Sequence, residues 1–327
     1  ARQIFSADEI TDISPESRRA ILETFVKVRP HVPFMPPSAE GTIIFPGFDG
    51  AAEWGGSAAD PNGILYINSN EMPWILSMVR TQTEGGGLAT TGSGIYTQIC
   101  AACHGTDRTG NIAQNVPTLI GIKDRLKKEE ILTLLNTGKG VMPSLGFLSD
   151  LQKQRLVDYI CNETTNLASS EKTIEAGDQP DVLGKIPYGH TGYNRWLDPE
   201  GYPAVKPPWG TLNAIDLNTG EYKWKVPLGE FDKLTQRGIA QTGTENYGGP
   251  IVTAGGLVFI AASKDERFRA FDKNTGETLW QTRLPAGGYA TPSTYTVGGK
   301  QYVVIACGGG KMGTESGDAY VAFSLEE

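Results

Sequence analysis

One eleven-residue stretch in the second half of the chain occurs twice. Ala214-Ile215-Asp216-Leu217-Asn218-Thr219-Gly220-Glu221-Tyr222-Lys223-Trp224 returns 56 residues later as Ala270-Phe271-Asp272-Lys273-Asn274-Thr275-Gly276-Glu277-Thr278-Leu279-Trp280. Ala, Asp, Asn, Thr, Gly and Trp recur at identical offsets. A repeat of this period points to a propeller or a solenoid. Each copy reads as strand, turn, strand, because Asp-x-Asn-Thr-Gly supplies side-chain turn bonds and the positive φ of a tight hairpin. The small Ala and the large Trp are then free to pack flat between neighbouring units. Further strands are expected over 42–45, 63–68, 74–79, 256–261, 291–297, 301–306 and 319–324, where apolar and β-branched residues are bounded by turn formers. Near the amino terminus, residues 6–28 read as a loop and one helix, capped by Ser14 with Pro15 at its first position.

A different signal interrupts this pattern. Cys100-Ala101-Ala102-Cys103-His104 has the spacing that attaches c-type haem. Two thioether bonds need thiols about one helical turn apart, and the next residue then offers an imidazole to the iron. The competing reading, a redox or zinc site, is weaker: zinc wants four ligands, and the other histidines and cysteines lie far away in sequence. Met142, 38 residues beyond His104 in Gly138-Lys139-Gly140-Val141-Met142-Pro143, is the expected second axial ligand. Asn115-Val116-Pro117-Thr118-Leu119 resembles the loop whose proline carbonyl accepts the proximal imidazole N–H. Gly94-Ile95-Tyr96 before the motif and the helical periodicity of Leu151 to Tyr159 supply first and last helices. Residues 92–166 closely resemble a class I cytochrome c.

Net charge is −8, yet residues 82–170 carry eight basic and eight acidic side chains, so the acidity lies in the flanking segments. Nothing resembles the basic footprint of a nucleic-acid binder. No apolar run approaches the roughly eighteen residues of a membrane span, and because Ala1-Arg2-Gln3 opens into mixed polar sequence, a leader is expected to have been removed or to belong to an upstream part. Covalent haem attachment takes place outside the bacterial cytoplasm, so a periplasmic or otherwise exported location is expected. Cys161 and Cys307 are expected as buried free thiols, in preference to a disulfide between them.

The polar and glycine-rich stretches 81–91 and 164–184 read as linkers. The chain is thus expected to be multi-domain: β strands over 1–81, an all-α cytochrome over 82–170, and β strands again over 171–327. The cytochrome would interrupt one β domain, an insertion tolerated where chain ends lie close together.

Outside the cytochrome, Ala-x-Asp-x-x-Thr-Gly-x-x-x-Trp resembles the tryptophan-docking motif of quinoprotein dehydrogenases. Glu53-Trp54-Gly55-Gly56, Asn68-Ser69-Asn70-Glu71-Met72-Pro73, Pro207-Pro208-Trp209-Gly210-Thr211-Leu212, Gly248-Gly249-Pro250 and Leu284-Pro285-Ala286-Gly287-Gly288 share that family's character. The likeness is strongest to the carboxy-terminal part of pyrroloquinoline quinone (PQQ) dehydrogenases of the membrane glucose dehydrogenase type. It implies an eight-bladed propeller, of which this chain holds about three and a half to four blades. It implies also that the amino-terminal half of the ring, with the catalytic aspartate and most calcium ligands, is a missing partner. No catalytic residue is then expected in this chain, which alone would be inactive. Exposed blade edges would favour oligomerisation or association with that half.

By the same resemblance, PQQ takes two electrons from a sugar or alcohol with calcium as Lewis acid. Haem c passes them singly to a downstream cytochrome or quinone. Glu53, Trp54, Asn70 (or Asn68) and Asn246 are the candidate PQQ contacts, and the alternative is that these polar groups satisfy local turns. His31 lies in a turn-rich loop, and His190 lacks an identifiable activating partner for a base. The rival function is a non-catalytic c-type cytochrome whose β domain only docks a partner.

Overall fold

The computed structural model describes residues 2–48, 51–52, 54–80, 91–105, 107–110, 116–139, 142, 144–161, 188–191 and 194–325. The chain forms two compact units, one of Ala1–Pro36, Gly41–Ile75 and Tyr193–Glu327, the other of Pro37–Glu40 and Leu76–Gly192. Glu53, all of the first linker but Thr91, and the whole of the second linker, 164–184, lie outside the described residues.

The amino-terminal strands are β1 (Thr42–Ile44), β2 (Ala58–Ala59), β3 (Ile64–Asn70), β4 (Trp74–Leu76) and β5 (Met78–Arg80). After the helical segment come β6 (Tyr188–His190), β7 (Gly210–Asp216) and β8 (Glu221–Pro227). The carboxy-terminal strands are β9 (Ile251–Val252), β10 (Leu257–Ile260), β11 (Arg267–Asp272), β12 (Thr278–Arg283), β13 (Ser293–Val297), β14 (Lys300–Gly309) and β15 (Ser316–Phe323).

In the first unit these strands make antiparallel sheets in the order β2-β3-β7-β8, then β9-β10-β11-β12, then β13-β14-β15. The first sheet joins residues far apart in sequence. β3 pairs with β7 over seven positions, from Ile64 opposite Asp216 to Asn70 opposite Gly210. The connection between the second and third strands of one blade therefore contains residues 71–209. A Cβ on Gly210 would stand 1.9 Å from the Thr244 carbonyl oxygen, so only glycine lets β7 start this close to that loop.

The two repeats fold alike. Asp216 Oδ1 accepts the Asn218 N–H at 2.9 Å, and Asp272 Oδ1 accepts the Asn274 N–H at 2.8 Å. Gly220 and Gly276 supply φ of 76° and 75°. Each third strand carries a bulge at the same place, after Ala214 and after Ala270, and each of those alanines stands opposite its tryptophan, Trp224 or Trp280. The sheets then stack. Ile64, Tyr66, Leu212, Trp224, Val258 and Phe271 share a core between the first and second, while Phe268, Leu284, Val303, Ile305 and Cys307 share one between the second and third. Fully burying each such aliphatic side chain contributes about 1.5–3 kcal/mol.

Helix α1 (Pro15–Phe25) starts as the sequence predicts, with Ser14 Oγ accepting the Ser17 N–H at 3.1 Å. Its buried Ile21 packs with Phe5, Ile10, Trp196 and Trp209 in a further core of this unit. The strand expected over 74–79 is instead two strands that break at Ser77. The Ser77 N–H is taken by the Thr191 hydroxyl at 3.1 Å, and its carbonyl accepts the Thr191 N–H at 2.9 Å. Partners from elsewhere in the chain thus override the local strand pattern.

The second unit contains an antiparallel ribbon in which Met78 faces His190 and Arg80 faces Tyr188. Its helices are α2 (Gly92–Ile95), which runs through a π-helical turn at Tyr96–Cys100 into α3 (Ala101–His104), then α4 (Lys128–Thr137) and α5 (Asp150–Cys161). A Cβ on Gly92 would meet the Arg155 carbonyl oxygen at 2.3 Å, so this glycine allows α2 to cross α5 at close range. Ile95, Tyr96, Ile131, Leu135, Leu156, Val157 and Ile160 form the core. Cys161 and Cys307 are buried free thiols. Among the described residues no helix is long and apolar enough to cross a membrane.

Candidate functional site: a haem c centre in the helical unit

Cys100, Cys103 and His104 lie on the helical run from the π turn into α3, so both thiols and the imidazole emerge within about one turn. His104 Nδ1 is 3.0 Å from the Pro117 carbonyl oxygen. A carbonyl only accepts, so Nδ1 carries the proton and Nε2 keeps its lone pair for a metal. The sequence anticipates this contact; its neighbour Asn115 lies outside the described residues.

The Pro117 loop is itself held. Thr118 Oγ1 and the Leu119 N–H both donate to the Arg108 carbonyl, at 3.1 and 2.9 Å. Gly110, at φ 78°, lies so close that a Cβ would meet the Val116 carbonyl at 2.5 Å. The Tyr96 hydroxyl donates to the Gly105 carbonyl at 2.6 Å, fixing the end of α3. The sequence marks Tyr96 only as part of the first helix and gives no signal for Arg108 or Gly110, because their partners come from separate turns.

Met142 forms a two-way backbone bridge with Lys139, each N–H donating to the other's carbonyl at 3.0 Å. Gly140 and Pro143 lie outside the described residues. Met142 and Cys100 pack against the same apolar core. Burial pushes the Cys100 thiol up to about 12, helped by the charge of Cys103, and raises Cys103 as well. Burial lowers the His104 imidazole, against the opposing bond to Pro117. Two thiols, a neutral imidazole with a free Nε2 and a thioether beside one apolar core fit haem c in donor type.

The asparagines considered for PQQ form a different pattern. Asn246 Oδ1 accepts from Asn68 Nδ2 at 2.6 Å, while its Nδ2 donates to the Ser69 and Thr244 carbonyls, both at 3.2 Å. Asn70 Nδ2 donates to the Asn246 carbonyl and Asn70 Oδ1 accepts the Asn246 N–H, each at 2.9 Å. All three are buried. They lock the loop before Tyr247 onto the end of β3, and Asn68 Oδ1 alone among their side-chain atoms is buried without a partner. Trp54 is 90% exposed in a turn. His31 contacts the Gln3 carbonyl at 2.8 Å through Nε2, and His190 sits in the ribbon of the helical unit.

Nearby, the Arg195 guanidinium pairs with Glu245 at 2.6 Å and lies over the Trp74 ring, while Lys311 Nζ is 3.6 Å from the centre of the Tyr247 ring. Both cations thus rest against aromatic faces. Among the described residues no three His, Cys, Asp or Glu side chains gather to hold a metal ion.

Comparison with known proteins follows the same division. A family model described as PQQ: glucose/ethanol/alcohol dehydrogenase, beta-propeller domain, matches residues 1–103 and 148–303. The chain belongs to this family. A second family model, cytochrome C oxidase, cbb3-type, subunit III, matches residues 87–160 and marks the cytochrome c domain. The quinoprotein glucose dehydrogenase of Escherichia coli (strain K12) is 33% identical over 301 residues, covering 90% of this chain. The quinate/shikimate dehydrogenase (quinone) of Acinetobacter baylyi is 41% identical over 156 residues, 44% of this chain. The chain spans 28% and 19% of the lengths of these two relatives. A solved quinohemoprotein alcohol dehydrogenase from Comamonas testosteroni matches with a TM-score of 0.38 and 18% identity, over 82% of this chain and 24% of that one.

Proposed function

We propose that this chain is the electron-accepting portion of a PQQ-dependent sugar or alcohol dehydrogenase, and that electrons pass from PQQ to haem c held by its helical unit. The observation that carries the reading is the insertion itself. A cytochrome c domain lies within the 71–209 connection of one blade, in a chain whose other strands belong to the PQQ family.

Cys100 and Cys103 would hold haem c through thioether bonds, and His104 and Met142 would ligate its iron. Haem c bound there would supply a one-electron couple, which Met/His ligation sets high. The chain's own residues fix the imidazole through Pro117, keep the Met142 loop closed through Lys139 and surround the site with apolar side chains. In the β unit, Arg195 and Lys311 would hold carboxylates of PQQ, with Glu53, Trp54, Asn70 and Asn246 as further candidate contacts. Calcium, whose ligands the family resemblance assigns mostly to the other half of the ring, would act as the quinone's Lewis acid. We place the protein in an exported compartment, because that is where haem is attached, and expect it to work with further blades of the propeller. A downstream cytochrome or quinone would take the electrons on.

The test uses the natural full-length gene product, matured with haem and loaded with PQQ and calcium. Aldoses, polyols and alcohols are added in turn and haem reduction is followed by stopped-flow absorbance. Substrate-driven reduction is expected, and its dependence on Met142 is checked with Met142→Ala, which should abolish the charge-transfer band of methionine-ligated ferric haem. Substrate oxidation with the haem left oxidised would overturn the electron path. A haem reduced only by an added redox protein would favour the docking cytochrome instead.

A further inference from the structure

The first unit contains a cleft that neither the haem site nor the candidate PQQ contacts use. It lies between the turn at 198–202, helix α6 (Asp232–Gln236) and the turn at 264–266. Two cavities of about 210 and 360 Å³ share Phe231, Asp232 and Lys264 in their walls. Together they reach the size of small-molecule clefts, about 300–1,000 Å³.

Its carboxylates are already matched. Arg267 pairs with Glu230 and, at 2.9 Å, with Asp232; Arg269 pairs with Asp265; Arg237 pairs with Glu200 at 2.8 Å; Arg283 reaches Glu266 at 3.4 Å. These pairs fix the carboxylates in place and leave lone pairs free to accept from hydroxyl groups. Lys264 differs from them. Its backbone is pinned by bonds to Thr244 Oγ1 and the Glu245 carbonyl, at 2.9 and 3.2 Å. Yet its half-buried ammonium makes no hydrogen bond or ion pair among the described residues. Burial lowers its pKa, the field of Glu245 opposes this and that of Arg195 adds to it, so an arriving anion would relieve a real cost. The base of the cleft is rigid and aromatic: Tyr202 meets Phe231 edge-on at 5.1 Å and stacks on Trp209 at 5.9 Å.

A half-buried cation without a partner among the described residues, fixed acceptors and an aromatic floor together describe a ligand with a carboxylate and several hydroxyls. We propose that this cleft binds a polyhydroxylated carboxylic acid, with Lys264 taking the carboxylate and the Glu230, Asp232 and Glu266 side chains accepting from hydroxyls. The inference concerns binding and stands whether or not the ligand is oxidised by the protein.

Isothermal titration of the full chain with gluconate, quinate, glucose and acetate tests it. Gluconate or quinate should bind roughly tenfold or more tightly than both glucose, which lacks the carboxylate, and acetate, which lacks the hydroxyls. Lys264→Met, which keeps the aliphatic stem, should remove that advantage and leave glucose unchanged. Should the variant fold poorly, the wild type still decides: gluconate should slow acetylation of Lys264 by acetic anhydride, read by peptide mass spectrometry, while equal glucose should not. Equal binding of gluconate and glucose, or full reactivity of Lys264 under saturating gluconate, would overturn the proposal.

Discussion

The two copies of the repeat share sequence, turn and bulge, yet their tryptophans have different surroundings. Trp224 is 9% exposed, and its indole N–H donates at 3.0 Å to the carbonyl of Lys273, in the turn of the second copy. Trp280 is 39% exposed and rests edge-on against Phe268 and Phe323. The glycines mirror this. A Cβ on Gly276 would press on the Trp224 ring at 2.7 Å, whereas one on Gly220 would meet nothing within 4 Å. Each motif therefore has two separable parts. Its own Asp-to-Gly turn closes a hairpin locally, while its tryptophan serves the interface with the next blade. What looks like one repeated signal encodes a local fold and a directional stacking rule.

The largest difference should appear between the tryptophans. Trp224→Ala empties a closed interface and removes an indole bond, and should cost about 3–5 kcal/mol. Trp280→Ala loses a ring that is partly in water already, and should cost about 1–2 kcal/mol. Urea unfolding of the two variants measures both. Equal losses would mean that stacking is not directional and would undo the contrast.

That contrast also explains how much could be read from the sequence. The Ser14 cap, the Asp272 turn and the His104–Pro117 contact rest on short-range patterns whose geometry is nearly independent of the rest of the chain. The spacing of Cys100, Cys103 and His104, on which the proposed haem site rests, is a short-range pattern of the same kind. The pairing of β3 with β7 was not legible, because nothing local in Ile64–Asn70 announces a partner beginning at Gly210. The asparagines show the same limit. As residue types Asn70 and Asn246 suit either a ligand or a backbone lock, and only the approach of the two segments reveals their mutual hydrogen bonds. The break at Ser77 and the meeting of Arg195 with Glu245 are likewise products of tertiary contact.

The glycines give a second, smaller contrast. Both adopt left-handed backbone, which costs an alanine about 1–2 kcal/mol. Gly220→Ala should lose only that amount. Gly276→Ala must also displace the Trp224 ring, adding about 1–3 kcal/mol of overpacking. Near-ultraviolet circular dichroism provides the decisive signature, since only Gly276→Ala should alter the Trp224 environment. A double variant with Trp224→Ala should remove the excess, because the clash then has no partner. Persistence of the full penalty in the double variant would show that the strain comes from the turn alone.

The smallest effect concerns acid stability of the second turn. Asp272 accepts the N–H groups of Asn274 and Thr275 at 2.8 and 3.0 Å, and these bonds hold its carboxyl below the ordinary value of 3.8. Because the folded state favours the charged form, the contribution is complete above the unfolded value. It falls away as pH drops through the lower folded value. Asp272→Asn keeps an amide oxygen to accept from the turn but has nothing to titrate. The stability gap between wild type and variant should therefore be constant at and above about pH 6 and should shrink from about pH 4 downwards. Thermal unfolding at matched ionic strength follows that gap, and the Asp272 carboxyl carbon shift in an NMR titration assigns it. A gap that stays flat to the acid limit, with Asp272 titrating at the ordinary carboxylate value, would mean that the turn bonds do not discriminate charge.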